Sequence, residues 1–365
     1  MAWYSGKNWK REELLARIGD PLQIAGARSS VLTDGKADGV RAVEVSTGGG
    51  LSFTVLPGRG MDIPFASFRG RAIGFFSATG ITSPGYYEEQ GLKWLRSFYG
   101  GLLTTCGIAQ SGAPTVDQGR PYGLHGRLAN AAAENVCVDQ EWEGDEFVIS
   151  VKGTMREAEA MGENLTLTRR IETRLGARGF RLHDTVRNRG FAAQPLLLLY
   201  HFNFGFPLLS PSARIAGPIV TTVGRDDEAR RDRGVEESLI LPEPVPDYAE
   251  KVFFHTLARD ADGRTFIALL NPDTGDGQPM GIVLRWNVKE LPIFSHWKMP
   301  RKGFYVTGLE PCTAAPLGRG TLREQGKLPM IEPQASHESA IDFEVLDSID
   351  QFEKIEQEAR KLVKG

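Results

Sequence analysis

Three residues of this chain have the right types for acid and base chemistry and stand where a fold could bring them together: His125, His201 and Glu310. Glu310 ends the alternating run Phe304-Tyr-Val-Thr-Gly-Leu-Glu310, which is predicted to stop there because Pro311 follows. A carboxylate at a strand end, flanked by Gly308 and Thr313, is held rigidly at the rim of its sheet. His201 closes the apolar run Leu196-Leu-Leu-Leu-Tyr-His201, with Asn203 two residues on along the same face. His125 lies between Leu124 and Gly126 in Gly123-Leu-His-Gly-Arg127. A carboxylate and an imidazolium acting together remove one proton while delivering another, each contributing about 10²- to 10⁴-fold in rate. The plainer reading of each histidine is a hydrogen-bonded core or loop residue. Asn203 makes the face of His201 polar just where the strand ends, which favours function there.

Further polar residues stand in suggestive places. Two glycines bracket Arg59 in Leu56-Pro-Gly-Arg-Gly-Met-Asp-Ile63, so Arg59 and Asp62 share a tight corner, where they either pair with each other or touch a ligand. Lys298 lies on a predicted strand next to that of Glu310, as a surface lysine or as a contact for an anionic substituent. Trp94, Tyr99 and Trp297 could stack on a ring, although aromatics among strands are more often core. His183 is on the polar face of its strand, and His255, His296 and His337 have no partner that the sequence identifies. No glycine-rich nucleotide loop, nucleophile elbow or local zinc pattern is present, so neither a cofactor nor a metal is expected.

The elements that must carry these residues are mostly strands. Ala42-Val-Glu-Val-Ser46 and Leu51-Ser-Phe-Thr-Val55 alternate across Thr47-Gly-Gly-Gly50, a hairpin signal. A meander follows over 136–138, 147–152, 165–172, 180–188 and 195–204. Strands resume at 251–256, 265–270, 281–286, 294–298, 304–309 and 341–346. Residues 209–250 read as loops, with the mixed-charge patch from Arg225 to Arg233 solvated. Helices are predicted over 9–18, with Asn8 as N-cap, and over 349–363, opened by a capping box at Ser348-Ile-Asp-Gln351. No helix series alternates with the strands, which argues against a doubly wound fold. The chain is therefore predicted to be mainly β, one sandwich domain over 1–365 with a few short peripheral helices.

Composition agrees. Of 365 residues, 41% are hydrophobic and 19 are Phe, ample for a core, while 42 Gly and 21 Pro suit many turns. A net charge of −3, without a long basic run, argues against nucleic acid as a partner. Three cysteines without metal spacing, no signal-peptide core at the start and no long apolar run predict a reduced, cytoplasmic location away from membranes. Homo-oligomerisation stays open.

Five segments together carry a likeness. They are Pro57-Gly-Arg-Gly-Met-Asp-Ile63, Gly100-Gly-Leu-Leu-Thr-Thr-Cys-Gly107, Gly123-Leu-His-Gly-Arg127, Leu199-Tyr-His-Phe-Asn203 and Tyr305-Val-Thr-Gly-Leu-Glu-Pro311. With these the chain resembles the aldose 1-epimerase (galactose mutarotase-like) superfamily, within it a bacterial branch known mainly as a domain of unknown function. The resemblance implies a β-supersandwich whose concave face holds a free sugar. It places the general base on Glu310, the general acid on His201 and a substrate-orienting histidine on His125. It makes Arg127 and Asn203 motif neighbours of the site, and it asks for one more acidic residue, for which Asp247 and Glu250 are candidates. Arg59, Asp62, Trp297 and Lys298 lie in segments particular to this branch and are expected to contact the substrate. Anomer exchange needs a base at the anomeric hydroxyl and an acid at the ring oxygen, and Glu310 is expected to favour a charged His201. The alternatives are a carbohydrate-binding or sensing protein without turnover, and a lyase or glycosidase on a related sandwich.

Overall fold

Period-two alternation puts one side of each strand into a core, and strands close in sequence pair antiparallel to bury it. The computed structural model describes residues 2–364. Among these, an eight-stranded sheet runs in the order Glu134–Glu143, Glu146–Ala158, Asn164–Arg174, Gly179–Asn188, Ser336–Leu346, Met280–Asn287, Arg264–Asn271 and Arg214–Ala216. Facing it is a six-stranded sheet built from β1 (Leu103–Cys106), β2 (Leu199–Gly205), β3 (Ile219–Gly224), β4 (Lys251–Leu257), β5 (Ile293–Arg301) and β6 (Phe304–Cys312). Its spatial order is β1-β2-β6-β5-β4-β3. The predicted hairpin of Arg41–Ser46 and Leu51–Val55 belongs to a further five-stranded sheet.

The main core lies between the two large sheets, where Leu167, Leu182, Ile282 and Phe343 meet Tyr200, Phe202, Phe204 and Leu309. Phe202 stacks on Phe343 across this interface, and each such side chain contributes about 1.5–3 kcal/mol by leaving water. Alternation then turns Leu199, His201 and Asn203 of β2, and Val306, Gly308 and Glu310 of β6, to the opposite face. That face carries a smaller cluster containing Trp94, Phe98, Leu199, Val252, Trp297 and Val306. The candidate site lies on it.

Four expectations are revised. The helix predicted over 9–18 spans only Arg11–Leu15 with Lys10 as N-cap, because Lys7–Trp9 pairs with Ala2–Tyr4 as a ribbon and takes Asn8 into it. The strand predicted over 195–204 is divided into Gln194–Pro195 and Leu199–Gly205. The region 209–250 is not loop throughout, since Arg214–Ala216 and Ile219–Gly224 are strands. β6 does not stop at Glu310 but runs through Pro311, which pairs with Phe294 of β5. Between Leu309 and Cys312 the pairing to β2 lapses, so the missing N–H of Pro311 is not called upon there. The C-terminal helix, Ile349–Lys364, packs Phe352, Ile355 and Ala359 against Phe266, Leu270 and Val283. The backbone N–H of Gln351 donates to the Ser348 hydroxyl at 3.3 Å, one half of the predicted capping box, while the Gln351 side chain accepts from the Asp347 N–H rather than that of Ser348. No helix among the described residues is long and apolar enough to cross a membrane.

Candidate active site

The outward face of β2, β6 and β5 floors a cavity of about 670 Å³. Phe202 pairs with Leu309 and Leu199 with Cys312, and that register sets His201 directly across from Glu310. Nε2 of His201 lies 3.2 Å from Oε1 of Glu310. The contact is off the line of a good hydrogen bond, and Glu310 Oε1 and His201 Nδ1 have no hydrogen-bond partner. Buried polar atoms are ordinarily paired, so unpaired ones beside a cavity point to a ligand. Gly308 makes the approach feasible: a Cβ there would stand 2.5 Å from Glu310 Oε1 and 3.2 Å from Cε1 of His201. On the other side of Glu310, in register, is Ser295 of β5.

His125 reaches the same cavity from a loop. Its φ of +58° lies in the left-handed region, a conformation that costs a non-glycine residue about 1–3 kcal/mol and clusters at functional sites. The loop holds it by backbone: His125 N–H donates to Gly112 O, and Gly107 N–H donates to His125 O. Nδ1 accepts from the Gly112 N–H at 3.3 Å, which leaves the ring proton on Nε2. The rings of His125 and His201 are 5.8 Å apart, centre to centre, and Trp94 lies against His125 at 4.7 Å.

Electrostatics set the resting protonation. Burial raises Glu310 to about 8, opposed by the neighbouring Ser295 hydroxyl. Burial lowers His125 to about 3, with Arg225 adding to the effect. His201 falls well below the usual histidine range through burial and His125, while the Asn203 amide opposes the shift. The expectation that Glu310 would charge His201 is thus revised. Desolvation penalises both charges and so favours the uncharged pair, a protonated Glu310 beside a neutral His201.

The remaining expected residues divide. Glu250 and Trp297 line the cavity. Glu250 accepts from Trp297 Nε1 at 3.0 Å and from Arg225 Nη2 at 3.1 Å. Asn203 is buried beside His201, its Nδ2 donating to His201 O at 2.8 Å. Five others lie outside the cavity. Arg59 donates to Ala129 O, Ser97 O and Thr82 inside the core rather than to Asp62. Asp62 accepts from Thr105 and pairs with Arg169, which also pairs with Asp184. This buried network holds the glycine corner onto the sheet. Arg127 pairs with Glu89 and Glu163, and exposed Asp247 pairs with Arg301. Lys298 faces away from Trp297, donates to Glu237 O at 2.8 Å, and is lowered by burial to about 8.

Sequence reasoning missed Arg225, Asp226 and Thr321, all of which line the cavity. For the first two a signal existed in the β-branched run Ile219-Val-Thr-Thr-Val223, which forms β3 and delivers Arg225 to the rim. A second cavity, about 590 Å³, on the five-stranded sheet has Arg28 and Glu44 as its charged groups and no histidine. No group of three or more His, Cys, Asp or Glu among the described residues is arranged to hold a metal.

Residues 37–345 match the family described as Domain of unknown function (DUF4432). No curated protein matches the sequence. The chain is similar in structure to a candidate aldose 1-epimerase of Klebsiella pneumoniae, with 26% identity and a TM-score of 0.86 over 92% of this chain and 87% of that one. A galactose mutarotase-like protein of Clostridium acetobutylicum gives 14% identity and a TM-score of 0.61, covering 89% of this chain and 100% of its own. A galactose 1-epimerase of Lactobacillus acidophilus gives 11% and 0.57, covering 89% and 99%. The fold is that of galactose mutarotase-like proteins.

Proposed function

From the premise that the chain belongs to the DUF4432 family, we propose that it interconverts the anomers of a free aldose or close sugar derivative by general acid and base catalysis. The observation that carries this reading is the 3.2 Å approach of His201 to Glu310 on the cavity floor, an imidazole and a carboxyl group beside unpartnered polar atoms. The named likenesses to an aldose 1-epimerase and to mutarotase-like proteins agree with it.

The proton balance closes within the dyad. Transfer of the shared proton from Glu310 to His201 gives a carboxylate and an imidazolium. Glu310 then takes the proton of the anomeric hydroxyl as His201 delivers its own to the ring oxygen. The bond from C1 to the ring oxygen breaks, leaving an open-chain aldehyde. Rotation about C1–C2 and the reverse transfers close the ring on the other face, and the dyad ends with the proton it began with. His125 Nε2–H is a donor for a substrate hydroxyl, and Glu250, fixed by Arg225 and Trp297, is an acceptor. The active window is the range in which the dyad holds one proton, so its alkaline limit falls near the Glu310 value of about 8.

Saturation-transfer NMR across free pentoses, hexoses, deoxy sugars and uronic acids tests the proposal. Faster exchange for some sugars names the substrate class. Binding without any accelerated exchange replaces the enzyme with a carbohydrate-binding protein.

A further inference from the structure

The cavity is divided chemically. Its polar lining includes Glu310 against His201, His125 beside His201, and Glu250 held by Arg225. Much of the remaining lining is carbon, a wall that includes Leu92, Leu95, Pro114, Leu124, Pro316 and Leu317. Most backbone donors along it are already used, Leu95 N–H by Leu92 O among them. Gly112 N–H donates to His125, Ala113 N–H to Pro316 O, Leu124 N–H to Gly91 O and Leu317 N–H to Ala315 O. Pro114 and Pro316 have none to give. Thr321 supplies the one side-chain hydroxyl of the lining among the described residues.

Charge is equally restrictive. Arg225 is the one lysine or arginine lining the cavity among the described residues, and two carboxylates already hold it, Asp226 at 2.7 Å and Glu250 at 3.1 Å. The cluster carries more acid than base, so a carboxylate, phosphate or sulfonate entering here would meet repulsion and find no free cation.

Resting on the mutarotase reading, we infer that the substrate is an uncharged aldose with a deoxygenated end, a methyl group in place of a hydroxymethyl or acid group, seated against the carbon wall. A hydroxyl there would find Thr321 as its one side-chain hydroxyl partner among the described residues, whereas a methyl group covers apolar surface. For one such group, discrimination of about 10- to 100-fold is within the reach of an apolar pocket.

Calorimetric affinities for matched sets test this: a 6-deoxyhexose, its parent hexose and the corresponding uronic acid, in the galactose, glucose and mannose series and both enantiomers. The expected result is at least one 6-deoxyhexose bound about 10-fold or more tighter than its parent, with its uronic acid weakest. Leu92 and Leu95 are 60% and 48% exposed, so Leu92→Asn with Leu95→Asn preserves the fold and should shrink that ratio severalfold. Equal affinities within every set, a uronic acid bound as tightly as its deoxy partner, or no binding of any 6-deoxyhexose overturns the inference. Because affinity is read without turnover, failure of anomer exchange would sink the mutarotase reading and leave this ratio measurable.

Discussion

His201 and His296 lie two strands apart in one sheet and are buried alike, yet they face opposite sides of it and their surroundings differ. His296 belongs to a closed chain. Thr222 Oγ1 meets His255 Nδ1 at 2.8 Å, His255 Nε2 meets His296 Nδ1 at 3.2 Å, and His296 Nε2 meets Thr307 Oγ1 at 3.0 Å. Both rings have each nitrogen satisfied, no carboxylate touches them, and burial lowers both, His255 to about 4. His201 has a carboxylate at 3.2 Å, an unpartnered Nδ1 and an open cavity. Burial and a lowered pKa are common to His201, His255 and His296, so neither marks a site. Unmet hydrogen-bonding capacity beside a carboxyl group is what sets His201 apart.

The sharpest way to break this contrast is to exchange the fates of the two histidines. His201→Asn should lower anomer exchange about 10²- to 10⁴-fold with melting temperature nearly unchanged. His296→Leu should keep exchange per folded molecule and cost about 1–3 kcal/mol in urea unfolding, because His255 loses a buried partner. Equal stability losses without a rate effect from His201→Asn would put both histidines in the structural class.

Next in size is Gly308→Ala. The added methyl pushes the Glu310 carboxylate aside, and a displacement near 1 Å costs about 10²-fold in rate while the sheet still folds. Normal exchange in this variant would mean that the 3.2 Å contact is not the working geometry. Smaller again, Trp297→Phe removes the donor to Glu250 and should weaken sugar binding about 5- to 10-fold, the worth of one hydrogen bond, as read by calorimetry.

The gentlest test is stability against pH. An unfolded Glu310 ionises near 4.5 while the folded one keeps its proton to about 8, so its contribution is present below 4.5 and is lost as pH rises to about 8. Glu310→Gln should flatten that part of the profile. The buried histidines act the other way, since the unfolded chain gains their protons as pH falls below 6.5.

How much was legible beforehand follows from the same contrast. Glu310, His201 and His125 were visible because a polar residue ending an apolar strand, or set beside glycines in a loop, stands out locally. The meander and the start of the C-terminal helix at Ser348 were visible for the same local reason. Arg59 and Asp62 stood out equally, but their glycine corner is turned inward and their partners, Thr82, Thr105 and Arg169, are distant in sequence. Lys298 and Trp297 are adjacent on one strand, and only register decides that Trp297 faces the cavity. Arg225 was hidden in a mixed-charge stretch that resembles a solvated loop, and its role depends on Glu250, 25 residues on.

The central claim is that Glu310 and His201 form one proton-sharing dyad, and anomer exchange by saturation transfer in Glu310→Gln beside the wild type tests it most directly. At least a 100-fold loss of exchange is expected, with disappearance of the alkaline limb near pH 8 and retained sugar binding and melting temperature. Undiminished exchange in Glu310→Gln would contradict it.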